Sequence, residues 1–132
     1  MTPFLLLLVA LAGGVGAVLR LVVDAAVTAR SRTTLPLGTA AVNVSGSFAI
    51  GIVAPLSATV MPVDVATVLA TGLLGGYTTF SAASVDTVRL LRDGRRGAAA
   101  AYAAGLVVVS TAAAALGAAV SLGLLALADH PL

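Results

Sequence analysis

Few side chains in this sequence can do chemistry, and most of those that can lie inside uncharged stretches. Asn43 sits within residues 35–63, where no Asp, Glu, Arg or Lys occurs. Its amide offers two N–H donors and one carbonyl acceptor, and at helical rise it lies roughly 13 Å from the arginine-bearing side. At membrane depth such a group needs a partner or a purpose. It is either an interhelical hydrogen bond or a donor turned toward an anion path. Ser45, Ser47, Ser81, Ser84, Ser110 and Thr111 place hydroxyls in the same apolar surroundings. Singly, each is expected to bond back to its own helix; together on facing helices they form a track that replaces an ion's water shell step by step. Arg20, near the end of the first apolar stretch, either snorkels to the interface or supplies positive potential at a pore mouth.

Enzyme chemistry finds no support. The chain has no cysteine, hence no disulfide or thiolate metal site, and its single histidine, His130, is the third residue from the end. No nucleophile and base pair up within the apolar stretches. Asp24, Asp64 and Asp86 stand near the ends of those stretches, and glutamate is absent. A proton-coupled exporter usually needs a carboxylate at mid-depth, whereas a permeant anion would be repelled by one.

These residues are carried by a chain of 132 residues that is 60% hydrophobic and 9% charged, with mean hydropathy +1.14. No soluble domain of this size buries so much apolar surface, so the chain is read as an integral membrane protein. The expected unit is a single all-α subunit over residues 1–132, with four spans of about 20 residues each. The first runs from Phe4 to Val23, followed by a polar connection from Asp24 to Thr34. The second runs roughly from Pro36 to Ala54, with a loop to Met61. The third opens at Pro62 and reaches about Leu91, and the fourth covers residues 97–128. The N-terminus lacks a basic region before Phe4 and is read as a retained span rather than a signal peptide.

The third span is interrupted by Gly75-Gly76-Tyr77-Thr78-Thr79-Phe80-Ser81. Two adjacent glycines cost about 1 kcal/mol each relative to alanine inside a helix, and two threonines add β-branched crowding. A helix broken in hydrocarbon is tolerated only where its freed backbone groups are buried in protein or line a wet cavity, which points to an ion or substrate site. Gly13 and Ala17, Gly38 and Val42, Gly46 and Ile50, and Gly117 and Ser121 recur at four-residue spacing, as tight packing of helices in lipid requires. Six of the seven arginines fall in the first and third connections. Under the positive-inside rule these connections face the cytoplasm and both termini face outward.

Three motifs, in order and spacing, resemble the Fluc/CrcB fluoride channel family. Gly13-Gly14-Val15-Gly16-Ala17-Val18-Leu19-Arg20 is similar to its GGxxGAxxR opening, residues 36–48 to its PxGTxxxNxxGSF second helix, and residues 75–81 to its GGxTTFS break. The resemblance implies a plasma-membrane channel built as an antiparallel, dual-topology-type dimer that passes fluoride out of the cytoplasm through narrow pores. It implies that Arg20 and Asn43 lie at the cytoplasmic vestibule, that Phe80 lines the pore, and that Ser81 belongs to a polar track; Ser84, from the hydroxyls above, and Tyr102 and Ser110 on the fourth helix are candidate track members that no motif match assigns. It also implies a structural sodium ion at the dimer axis, held by the backbone carbonyls of Gly75 and Thr78. The aromatic choice is chemically sound, since a ring edge carries positive partial charge and conduction needs weak, multi-site binding.

One departure stands out. The family pattern commonly carries a second phenylalanine three residues after the first, and here Ala83 stands there. Together with the one-sided arginines, this favours a homologous partner of opposite orientation and a heterodimer, with pairing with itself as the alternative. Two other functional classes are compatible with four apolar spans. A small multidrug-type proton-coupled exporter predicts an intramembrane glutamate and an aromatic cage, and the chain has neither glutamate nor tryptophan. A non-conducting accessory subunit predicts tolerance of changes at Asn43 and Phe80.

Overall fold

The computed structural model describes residues 1–129, so His130 lies outside the described residues. Within them the chain forms α1 (Pro3–Arg30), α2 (Leu37–Thr59), α3 (Val63–Thr67), a π-helical segment (Val68–Leu74), α4 (Gly75–Tyr77), α5 (Phe80–Arg92) and α6 (Arg96–Asp129). The segments from Val63 to Arg92 act as one interrupted span, giving four helices long and apolar enough to cross a membrane. The expected all-α membrane architecture with a broken third helix is therefore what the chain adopts.

Several boundaries differ from the sequence reading, each for a physical reason. α1 continues through Asp24 to Arg30, where Arg30 bonds back to the Ala26 carbonyl and suits the negative helix end. The residues read as a polar connection are thus mostly helix. α2 runs through Pro55 to Thr59. Proline removes the N–H that would reach the Gly51 carbonyl, yet the helix continues, and the Ser57 and Thr59 hydroxyls donate back to the Ala54 and Pro55 carbonyls in the turn that follows. The break in the third span also lies two residues later than the glycines suggest. Gly75-Gly76-Tyr77 is helical, and the extended residues are Thr78 (φ −75°, ψ 156°) and Thr79 (φ −152°, ψ 111°).

The glycines are used instead for close approach. A Cβ on Gly76 would strike the Gly13 carbonyl, and one on Gly16 would strike the Leu73 carbonyl, so α1 meets the interrupted span backbone to backbone. α2 and α6 meet in the same way, with Gly51 against the Ala114 carbonyl and Gly117 against the Phe48 carbonyl. Such contacts supply dispersion where lipid offers no hydrophobic drive between helices. The π-helical winding shifts the register of residues after Val68, as an inserted residue does, and no sequence signal foretold it.

At the arginine-bearing end, Gly94 closes α5 with φ +75°, and Arg95 donates to the Leu90 carbonyl behind it. Arg95 also donates to the Thr34 carbonyl across the two connections. Leu90, Ala99 and Tyr102 are buried just above this turn. Apolar side chains such as Phe4, Leu11, Val18 and Phe80 face outward, as lipid-facing or partner-facing residues do.

Candidate functional site

The site is the break and the space on either side of it. Tyr77 and the two extended residues after it all meet α2. The Tyr77 hydroxyl meets the Ser45 hydroxyl at 2.9 Å, and Gly46 leaves room for the Thr78 methyl and the Tyr77 ring. The Asn43 amide takes both backbone groups of Thr79: its Nδ2 donates to the Thr79 carbonyl at 2.9 Å, and its Oδ1 accepts the Thr79 N–H at 2.8 Å. This pairing fixes which way the amide faces, because only one orientation satisfies both groups. The threonines then complete the break with their own side chains. The Thr78 hydroxyl and N–H both donate to the Leu74 carbonyl, closing the helix behind them. The Thr79 hydroxyl accepts the Ala82 N–H and so caps α5.

Two cavities flank this hinge. A cavity of about 570 Å³ lies between α2, α5 and α6 and is lined by Asn43, Ser47, Thr78, Thr79, Phe80, Ala83, Ser84, Thr87 and Ser110 among others. A second, of about 420 Å³, lies between α1, α2 and α5 and is lined by Arg20, Asp24, Thr39, Thr79, Ser81, Asp86 and Arg89 among others. Helical geometry divides the residues of α5 between them. Phe80 and Ser84 are one turn apart and share a face, while Ser81 is turned about 100° away. Thr79 reaches both.

The residues expected to form one path are therefore partly gathered and partly separated. Asn43, Phe80, Ser84 and Ser110 share the larger cavity; Arg20 and Ser81 line the smaller one. Tyr102 lines neither. It is buried beside a third cavity of about 190 Å³ with Ala40, Val44 and Gly105. Among the proposed track hydroxyls, Ser84 bonds back to the Phe80 carbonyl and Ser45 to the Ala41 carbonyl, as expected of single helical serines. Ser110 and Tyr102 behave differently: both hydroxyls are buried without a hydrogen-bond partner among the described residues. Thr111 is exposed on the outer side of α6.

Sequence reasoning missed Thr39 and the way Asp86 is used. The Thr39 hydroxyl donates to Asp86 at 2.7 Å, and Arg89 approaches the other carboxylate oxygen at 3.5 Å. Asp24 stands against Gly38 at the start of α2, whose cap residue Pro36 has no side-chain bond of its own. Arg20 thus shares its cavity with Asp24, Asp86 and Arg89, two basic and two acidic groups. Its positive potential is balanced locally rather than standing alone. The only available signal was that both aspartates lie one or two turns from arginines of the same helix. Among the described residues, no group of three or more His, Cys, Asp or Glu side chains is placed to hold a metal ion.

Residues 7–118 match the family model described as CrcB-like protein, Camphor Resistance (CrcB). The chain belongs to the CrcB-like family. Similar relatives include "Fluoride-specific ion channel FluC 1" of Leifsonia xyli, 45% identical over 132 residues, covering 99% of this chain and 95% of the relative. "Fluoride-specific ion channel FluC 2" of Mycobacterium bovis is 42% identical over 109 residues, covering 83% and 84% of the two chains. "Fluoride-specific ion channel FluC" of Sulfurovum is 44% identical over 94 residues, or 71% and 75%. In this CrcB-family chain the three sequence motifs meet at one place. The α1 glycines meet the interrupted span through Gly13 and Gly76, the α2 asparagine grips Thr79, and the break sets Phe80 at the cavity wall.

Proposed function

We propose that this CrcB-family chain is a subunit of a fluoride-specific ion channel, through which fluoride leaves the cytoplasm passively and its toxicity is lowered. The observation that carries this reading is the larger cavity. There the Asn43 amide, the Phe80 ring and the partnerless Ser110 hydroxyl border one space inside a membrane-spanning bundle, in a chain whose similar relatives bear that name. The chemistry suits a small, strongly hydrated anion. Asn43 spends one Nδ2 hydrogen on Thr79 and keeps a second, Ser110 has a hydroxyl proton free, and a ring edge adds partial positive charge. Each donor alone binds weakly, as conduction requires.

The channel is read as an antiparallel dimer in the cell membrane, with both termini outside and the arginine connections in the cytoplasm. Supporting a second subunit, Phe80 is 85% exposed although it borders the cavity, so one chain leaves the wall open on that side. Ala83 also lines the cavity and brings no second ring. A homologous partner of opposite orientation would supply rings that this chain lacks. The carbonyls of Gly75 and Thr78 are read as holding a structural sodium ion at the dimer axis. No N–H or hydroxyl of the described residues donates to either oxygen, and hard oxygen donors of this kind fit a hard cation. Bound there, sodium would satisfy carbonyls that lipid cannot.

Fluoride efflux from proteoliposomes tests the pairing. A co-expressed pair is expected to release fluoride faster than this chain purified alone; equal rates would sink the heterodimer. Replacing Phe80 with Ile in the pair should lower the rate at least tenfold, and an unchanged rate would favour an accessory role for this chain.

A further inference from the structure

In a continuous α-helix the Thr79 N–H would be delivered to the carbonyl of Gly75, four residues back. Here it goes instead to Asn43 Oδ1 at 2.8 Å, while Asn43 Nδ2 secures the Thr79 carbonyl at 2.9 Å. The Leu74 carbonyl, one residue earlier, is treated in the opposite way and receives both the N–H and the hydroxyl of Thr78. The helix is therefore closed at Leu74 and left open at Gly75 by specific side chains. Gly75 is exposed, and a Cβ built on it would approach only the Ala70 carbonyl, at 3.7 Å. Among the described residues no N–H or hydroxyl is recorded donating to its carbonyl.

We infer that Asn43 is a positioning residue for the cation site: by diverting the Thr79 N–H it reserves the Gly75 carbonyl for a metal ion. This rests on the reading that Gly75 and Thr78 hold sodium. It gives the Asn43 carbonyl oxygen a role separate from that of its remaining N–H at the larger cavity, which Asn43 lines. An unsatisfied carbonyl at membrane depth is costly, so a side chain that creates one is retained only if something else fills the vacancy. A hard monovalent cation does so without a proton donor.

The test is the sodium response of the full chain in detergent, read as the thermal unfolding midpoint in sodium against N-methylglucamine. Wild type should unfold a few degrees higher in sodium. Asn43→Ala should lose that shift. Asn43→Asp, whose carboxylate still accepts the Thr79 N–H, should keep it. A wild-type shift in Asn43→Ala, or loss of the shift in Asn43→Asp, overturns the inference. If Asn43→Ala does not fold, amide exchange in wild type decides. Thr79 should be protected equally with and without sodium because Asn43 holds it throughout, and protection appearing only with sodium overturns the inference. No sodium shift in the wild type overturns the sodium reading itself, and this inference with it.

Discussion

Asn43, Ser110 and Thr39 show three different fates for a polar group at membrane depth. Asn43 takes both backbone groups of Thr79, Thr39 donates to a carboxylate, and Ser110 has no hydrogen-bond partner among the described residues. Their substitutions should separate stability from transport. Ser110→Ala removes a buried unsatisfied hydroxyl, so unfolding stability should stay level or rise by about 1 kcal/mol. Fluoride flux should nevertheless fall at least tenfold, because a donor is lost from the cavity. Thr39→Val should do the reverse of the first half: stripping a charge-assisted bond from Asp86 should destabilise by roughly 1.5–3 kcal/mol, seen as an earlier thermal midpoint in detergent. The candidate polar residues were legible in the sequence because hydroxyls and amides stand out against an uncharged background. Their partners were not. Nothing in linear order distinguishes Ser84, bonded to its own helix, from Ser110, which is left free.

At the scale of elements, the glycines and threonines of the third span divide the work of its interruption. Gly76 lets α1 approach and Thr78-Thr79 breaks the helix, although helix propensity alone assigns both jobs to the glycines. Gly16→Ala places a methyl group against the Leu73 carbonyl, a backbone atom that cannot swing aside. Overpacking of this kind should destabilise by about 1–3 kcal/mol. Gly97→Ala meets nothing within 4 Å and should be neutral or slightly stabilising in the same unfolding measurement. Helix number, order and approximate limits could be read from uncharged runs bounded by arginines. Three features could not: the passage of α2 through Pro55, the extension of α1 past Asp24, and the π-helical segment. Each depends on local hydroxyl bonds or on neighbouring backbone, and hydropathy reports neither.

At the scale of the whole molecule, one chain is a tight bundle with an open flank. α1 and α2 close on the interrupted span and on α6 through glycine contacts, yet Phe80 looks outward from the cavity it borders. The arginine-rich connections are joined at one end by the Arg95 contact to Thr34, so both lie on one side of the bundle, the cytoplasmic side in the proposed topology. Cysteine placed at residue 1 should therefore react with a membrane-impermeant thiol reagent in intact cells, and one at Gly94 should not; the reverse labelling would invert the topology. Selective passage of fluoride through this bundle can be read in an ion-release assay. The chain is purified from its own membranes with any subunit it carries, and reconstituted into liposomes loaded with potassium fluoride or potassium chloride plus a potassium ionophore. Fluoride should leave far faster than from protein-free vesicles while chloride stays behind; fluoride release no faster than from empty vesicles, or equal loss of chloride, would contradict it.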